Sequence, residues 1–474
     1  EFRRVLFRSG RLGNLPYILD EGPAALGRHL GREREDEVRL EIVRALGNLS
    51  LIEENGLEEV EEIAEGDRNG RLRGAAIVAL AKLGELSSRI AENRRFDIER
   101  VVEDRDPWVR IGMIDALSLL THDSLEQAID LQFYDRRATV ETKIAALDAA
   151  IELFFVDADA ALNAFRVGLA DENWRVRAAA IDGLFEVWDK RAIPLLIEQL
   201  DREDGRLQLD LSMTLRLYAG ENRGYRTEDW QNWWRRAQTS LALGSKPRTN
   251  RWGVDLSNLP DGGARAEGGT SAEYFSIPVF TTAGLFIFDP SGSMRDPIRG
   301  GDGESKFTHA TNEALAVMDA VSTDARFDLL VYWSPSRVPP ADADQRARQG
   351  WRAERAFGEL VPADERNRER ARVWAAAEVT PGGWGDFWAA FEAGIEDDAV
   401  DTIFFLSDGG PSRGQHLDYE EILINLRERN RFRRVVVHTV LTRDEDTSRF
   451  HEDLMRNISI VTGGITRAVD SAGD

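Results

Sequence analysis

The chain of 474 residues has no cysteine, which excludes a disulfide framework, a thiolate metal site and a cysteine nucleophile. That absence is compatible with any compartment. No apolar run approaches the roughly 20 residues that a membrane-spanning helix needs. Lysine is scarce, occurring only at Lys82, Lys143, Lys190, Lys246 and Lys306, and arginine supplies the other basic charge. This skew reads as genome composition rather than mechanism. The formal net charge is -23, so the surface has little to attract nucleic-acid phosphates or an anionic membrane, and neither is expected as a partner. The six histidines, His29, His122, His309, His416, His438 and His451, show no metal-ligand spacing. There is no phosphate loop of the Gly-x-x-x-x-Gly-Lys type, no His-Glu-x-x-His helix and no Gly-x-Ser-x-Gly elbow. The expected role is therefore not enzymatic. Residues 1–9, from Glu1 to Ser9, resemble translated sequencing-adapter read-through and carry no fold signal. On that reading the gene has lost its start.

What is present begins with self-similarity between about residues 30 and 220. Short acidic turns lead into a Val-Arg or Leu-Arg pair and then a small-residue amphipathic helix. The clearest copies are Asp171-Glu172-Asn173-Trp174-Arg175-Val176-Arg177 and Asp104-Arg105-Asp106-Pro107-Trp108-Val109-Arg110. Counted by Arg39, Arg73, Arg110 and Arg177, the steps are 34, 37 and 67 residues, the last being two units with a degenerate copy near Val140-Glu141. A weaker copy starts at Leu207-Gln208. The pattern resembles HEAT-like repeats, with a slightly shorter unit, and the resemblance implies an all-α solenoid over residues 10–240 whose units bury their apolar faces against each other. The repeated arginines are expected to bond acidic turn residues of the adjacent unit. Trp230, Trp233 and Trp234 fall on one helix face and are expected to form a closing core. Residues 241–270, rich in Gly, Pro, Asn and Asp, read as a linker.

From residue 271 to 474 strands and helices alternate, which implies a mainly parallel sheet covered on both faces. Tyr274 to Phe280 reads as an edge strand, since proline is tolerated there. Strands are predicted from Leu285, from Phe327, at Thr402 to Ser407 and at Val435 to Val440, with helices from Lys306, Asp364, Asp386, Tyr419 and Ser448. Asp289-Pro290-Ser291-Gly292-Ser293 follows the apolar run Leu285-Phe286-Ile287-Phe288, and Ser407-Asp408-Gly409 follows Thr402 to Leu406. Both motifs thus sit at the carboxyl ends of strands, where open α/β sheets bind ligands. Their hydroxyls and carboxylates are hard oxygen donors of the kind Mg²⁺ and Mn²⁺ prefer. A blander reading of Asp-x-Ser-x-Ser is a turn that caps a helix start.

Strand context, Gly292-Ser293-Met294 and Leu406-Ser407-Asp408-Gly409 together resemble a von Willebrand factor A domain. The whole chain is similar to bacterial proteins that join HEAT-like repeats to such a domain. The resemblance implies a doubly wound, Rossmann-like α/β fold and a metal-ion-dependent adhesion site with Asp289, Ser291, Ser293 and Asp408 as ligands. It also implies Mg²⁺ or Mn²⁺, with Ca²⁺ as a further candidate, and a protein partner whose acidic side chain completes the coordination. The family's middle threonine is missing here. In Pro381-Gly382-Gly383-Trp384-Gly385-Asp386 its place falls on Trp384 or Gly385, and Asp386 is the candidate substitute ligand. The alternative expectation is a metal-independent scaffold with a degenerate site, followed by a metal-dependent hydrolase. A haloacid-dehalogenase-type phosphatase would need a second Asp where this chain has Ser291.

Overall fold

The computed structural model describes residues 22–49, 54–86, 98–247, 251, 272–289, 291–297, 303–333, 352–377, 386–411, 416–443 and 448–470. The adapter-like segment 1–9, most of the linker and Pro381 to Gly385 lie outside them. Compactness divides the chain into two units, Glu1–Ala192 and Ile193–Asp474. The second unit includes the helices between Ile193 and the linker.

The first unit is helical, running in successive pairs from Gly22–Leu30 to Trp174–Val187. Helix starts recur at one position of the repeat, and in four copies that position carries a capping side chain, whereas Glu35 makes no side-chain cap bond. Asn69, Asp106 and Asn173 accept the amides of Arg71, Trp108 and Arg175, and Thr139 and Thr142 form a reciprocal capping box. Four residues beyond the cap stands a cation that reaches the next acidic turn. Arg39 pairs with Asp67 at 2.6 Å, Arg73 with Asp104 at 3.4 Å, Arg110 with Asp135 at 3.1 Å and Lys143 with Asp171 at 2.6 Å. The expected cross-unit bond is therefore present for Arg39, Arg73 and Arg110. Lys143 divides the 67-residue step and marks the degenerate copy. Arg177 donates to the carbonyls of Asp171 and Glu172 in its own turn. Each acceptor aspartate also caps its turn, with Asp171 Oδ1 taking the amide of Asn173 at 2.9 Å. Where helices Gly70–Lys82 and Pro107–Leu120 cross, Gly74 and Gly112 allow backbone contact, since a Cβ on Gly74 would stand 2.2 Å from the Trp108 carbonyl.

The second unit is built on a seven-stranded sheet. A small hairpin precedes it, formed by β1 (Glu273–Tyr274) and β2 (Ile277–Pro278). The expected edge strand over Tyr274 to Phe280 is thus corrected: Phe275 and Ser276 both take positive φ, and the chain folds back on itself there. The sheet strands are β3 (Ala283–Phe288), β4 (Arg326–Trp333), β5 (Arg352–Arg355), β6 (Val361–Pro362), β7 (Thr402–Ser407), β8 (Val436–Arg443) and β9 (Thr466–Asp470). Their order is β5-β4-β3-β7-β8-β9, with β6 also on β4. The pairs β3-β4, β3-β7, β7-β8 and β8-β9 are parallel, whereas β5 and β6 run antiparallel to β4.

Alternate residues of the central strands feed two cores. Phe286, Phe288, Phe404 and Leu406 pack toward helix Lys306–Ala320 through Phe307, Ala310 and Val317. Leu285, Ile287, Ile403 and Phe405 pack on the other face with Phe391, Leu426 and Ile458. Helix Gly205–Ala219 closes the amino-terminal end of the sheet. The buried Arg206 donates from Nη1 to the carbonyls of Asp401, at 3.2 Å, and Arg434, the residues leading into β7 and β8. Trp230 and Trp233 are buried with their rings edge to face, while Trp234, the third member of the expected core, is half-buried. Among the described residues no helix is long and apolar enough to cross a membrane.

The turn aspartates should carry measurable stability. Asp171→Ala removes both the Lys143 pair and the amide of Asn173, and about 2 kcal/mol of unfolding free energy is expected to go with them. In a double-mutant cycle by urea denaturation, Lys143→Ala and Asp171→Ala should couple by about 1 kcal/mol; independent effects would show that the ladder is ornamental.

Candidate functional site

The chain leaves β3 for β4 on one side and reaches β7 on the other, so the carboxyl ends of β3 and β7 flank the point where crossovers diverge. Phe288 pairs with Leu406 across that gap. Asp289 and Asp408 follow these strands, and the amide of Asp289 still donates to the Leu406 carbonyl at 3.0 Å. Two aspartates distant in sequence are thereby set on adjacent rigid supports.

Beneath the surface lie the charged groups. Asp289 and Asp408 are 2% and 6% exposed. Asp289 Oδ1 accepts the amide of Ser291 at 2.8 Å, and its Oδ2 accepts the hydroxyl of Ser407 at 2.6 Å. The hydroxyls of Ser291 and Ser293 stand above, 3.0 Å apart. Ser293 donates to Asp408 Oδ1 at 3.0 Å. The two serines and two aspartates read from the sequence are therefore brought together at the carboxyl ends of β3 and β7, with Ser293 exposed to solvent. Ser291 precedes the short turn Gly292–Arg295 without capping it through its side chain, while Asp289 closes a turn by accepting the Ser291 amide.

Three residues join the site that the sequence reading did not place there. Lys306 opens helix Lys306–Ala320, and its Nζ lies 3.0 Å from Asp408 Oδ2, with both side chains 3% exposed. The Lys306 amide bonds the Asp296 carbonyl, and Pro297 bridges Ser305, so the loop after the serines is pinned to this helix start. Tyr332, the residue before the last of β4, is fully buried. Its hydroxyl faces Asp289 and Ser407, and burial followed by the Asp289 charge pushes the phenol well above its usual range. His451, read from sequence as surface solvation, is half-buried with its ring against Gly410. Burial lowers its pKa while Asp408 opposes that shift. For Lys306 the available signal was its position directly after the capping Ser305, where a cation opposes the helix dipole.

Asp386, the candidate substitute ligand, caps helix Phe387–Ile395 by accepting the Ala389 amide at 3.1 Å. Burial pushes its carboxyl up to about 6, against the amides of Ala389 and Trp388, with His416 as the nearest cationic influence. Among the described residues it makes no bond to Asp289, Ser291, Ser293 or Asp408. The position of the missing threonine, at Trp384 or Gly385, lies outside the described residues.

The donor set of two carboxylates and two hydroxyls fits a hard divalent cation such as Mg²⁺ or Mn²⁺, which takes oxygen ligands and retains waters. It does not suit a soft or nitrogen-preferring metal. No protein-family model matches the chain, and no curated protein matches it.

Burial, reinforced by Asp408, holds the Asp289 carboxyl up at about 6 against 3.8 for the ordinary group. The folded chain then binds this proton more tightly than the unfolded one. Its stability is greatest below the unfolded value and declines as pH rises through the folded value, by about 3 kcal/mol in total. Asp289→Asn removes that loss, so its stability relative to wild type should grow between about pH 3.8 and about pH 6 in metal-free chemical denaturation. Parallel profiles for the two proteins would contradict this account.

Proposed function

We propose that the chain is a non-enzymatic protein-interaction factor, with a von Willebrand factor A-like domain that captures an acidic partner group through a divalent cation and a HEAT-like α-solenoid as a second binding surface. The observation that carries the reading is the convergence of Ser291, Ser293, Asp289 and Asp408 at the carboxyl ends of β3 and β7. Ser291 and Ser293 present oxygens to solvent and Asp408 lies directly behind Ser293. Asp289 sits deeper and orients the Ser291 amide, so its role is to hold the serine loop as well as to supply charge. Mg²⁺ or Mn²⁺ held there supplies positive charge for a partner carboxylate. Four side-chain oxygens leave coordination positions of a six-coordinate ion open, which a partner carboxylate can fill. In the helical half, Leu119, Tyr134, Phe155 and Val156 are exposed apolar side chains, which suits a second contact surface.

The test is calorimetry of Mg²⁺ and Mn²⁺ on the full chain and on Ser291→Ala, joined to retention of the chain on immobilised acidic peptides. Ser291→Ala should lower metal affinity at least about tenfold, and EDTA should release the wild type from the peptides. Retention that survives EDTA would remove the metal from the mechanism.

A further inference from the structure

We infer that Lys306 is a tethered cation which occupies the electrostatic role of the metal until a divalent ion displaces it, so that the site switches between a lysine-closed and an ion-loaded state. This rests on the cation-site reading above. Its support is geometric: the ammonium lies 3.0 Å from Asp408 Oδ2, and both side chains are buried. Asp408 Oδ1 is held by Ser293 on its other side, so one carboxylate joins the lysine to the serine pair. An ion that shares Asp408 must therefore meet the Lys306 charge at close range. Two cations on one buried carboxylate repel, and the weaker claim yields.

Lys306 can move because its bond is made by a long flexible stem, whereas its backbone is fixed by the Asp296 carbonyl and the Ser305 cap. Displacement would swing the ammonium without unwinding the helix. Ser293 would at the same time turn its hydroxyl from Asp408 and present its oxygen to the ion. The consequence is a threshold: loading needs enough divalent cation to outcompete an intramolecular charge that is always present.

Mn²⁺ binding to the full-length wild type, Lys306→Met, Lys306→Gln and the double variant Lys306→Met/Ser291→Ala tests this, with thermal melts in the absence and presence of the ion. Removing the ammonium should tighten Mn²⁺ binding at least about tenfold and lower the metal-free melting temperature. Mn²⁺ should then restore the melting temperature, and adding Ser291→Ala should abolish the gain. In wild-type protein with ¹⁵N-labelled lysine, the protected Lys306 ammonium resonance should disappear when Mg²⁺ is added. Equal affinities in wild type and both Lys306 variants, with the ammonium resonance unchanged at saturating Mg²⁺, would overturn the lysine switch and leave the metal site standing. Binding that ignores Ser291→Ala, or no binding to any folded variant, would overturn the site itself and the switch with it.

Discussion

The buried pair of Lys306 and Asp408 is the constraint on which the carboxyl edge of the sheet depends. Asp289 and Asp408 follow neighbouring parallel strands, and two like charges placed there repel in a medium that screens poorly. At about 4 Å and an effective dielectric near 20, each unit pair interacts by about 4 kcal/mol. One aspartate therefore needs a partner and the other resists ionisation. Lys306 supplies the partner to Asp408, while Asp289, among the described residues, accepts from neutral donors, the Ser291 amide and the Ser407 hydroxyl. Its pKa is raised first by burial and then by the Asp408 charge. The lysine itself stands at the first turn of a helix, where the dipole opposes a cation; only a buried carboxylate close by makes that placement favourable.

A related device recurs in the helical unit at lower stakes. There each cation leaves one helix and meets an aspartate in the following turn, as in Arg39 with Asp67 and Lys143 with Asp171. These pairs are partly exposed, so each contributes little by itself. Their aspartates also bind turn amides, which ties helix starts to the neighbouring repeat and makes the pairs registers for stacking. Arg110 is the exception in burial, at 1% exposed, and it divides its donors among the Asp104 carbonyl, Gln132 and Asp135. A single partner would leave most of that guanidinium unsatisfied in the interior.

How much of this was legible in the sequence depends on the range of the interaction. Strand β7 agrees with its predicted span because Ile403 to Leu406 is a short unbroken apolar run bounded by Thr402 and Ser407, and helix Lys306–Ala320 has both a cap and a 3.6-residue period. The convergence of Asp289 with Asp408 was also anticipated, since each follows a recognisable strand. β5 and β6 were not anticipated: Arg352–Arg355 is polar and pairs only with the sheet's edge region, so no hydrophobic alternation announces it. The hairpin β1-β2 defeats the edge-strand reading because it turns on positive φ at Phe275 and Ser276, residues with no glycine signature. Lys306 was read only as a helix start. Its partner lies 102 residues away, and periodicity carries no information about which side chain crosses such a distance.

The two ends of the sheet are treated differently, and that difference bears on what the site can do. At the amino-terminal end Arg206 bridges the carbonyls leading into β7 and β8, and Asp401 is held by the hydroxyls of Thr281 and Thr402. Gly205 takes a positive φ there, and a Cβ would stand 2.9 Å from the Phe280 carbonyl. That end is closed by backbone acceptors and leaves no room for a side chain. At the carboxyl end the bonds run through side chains with rotational freedom, the serine hydroxyls and the lysine ammonium, above strands that the other end holds in register. A ligand arriving at the open end can therefore exchange side-chain partners without disturbing the sheet, because the strand positions of Asp289 and Asp408 are set by the ladder beneath them.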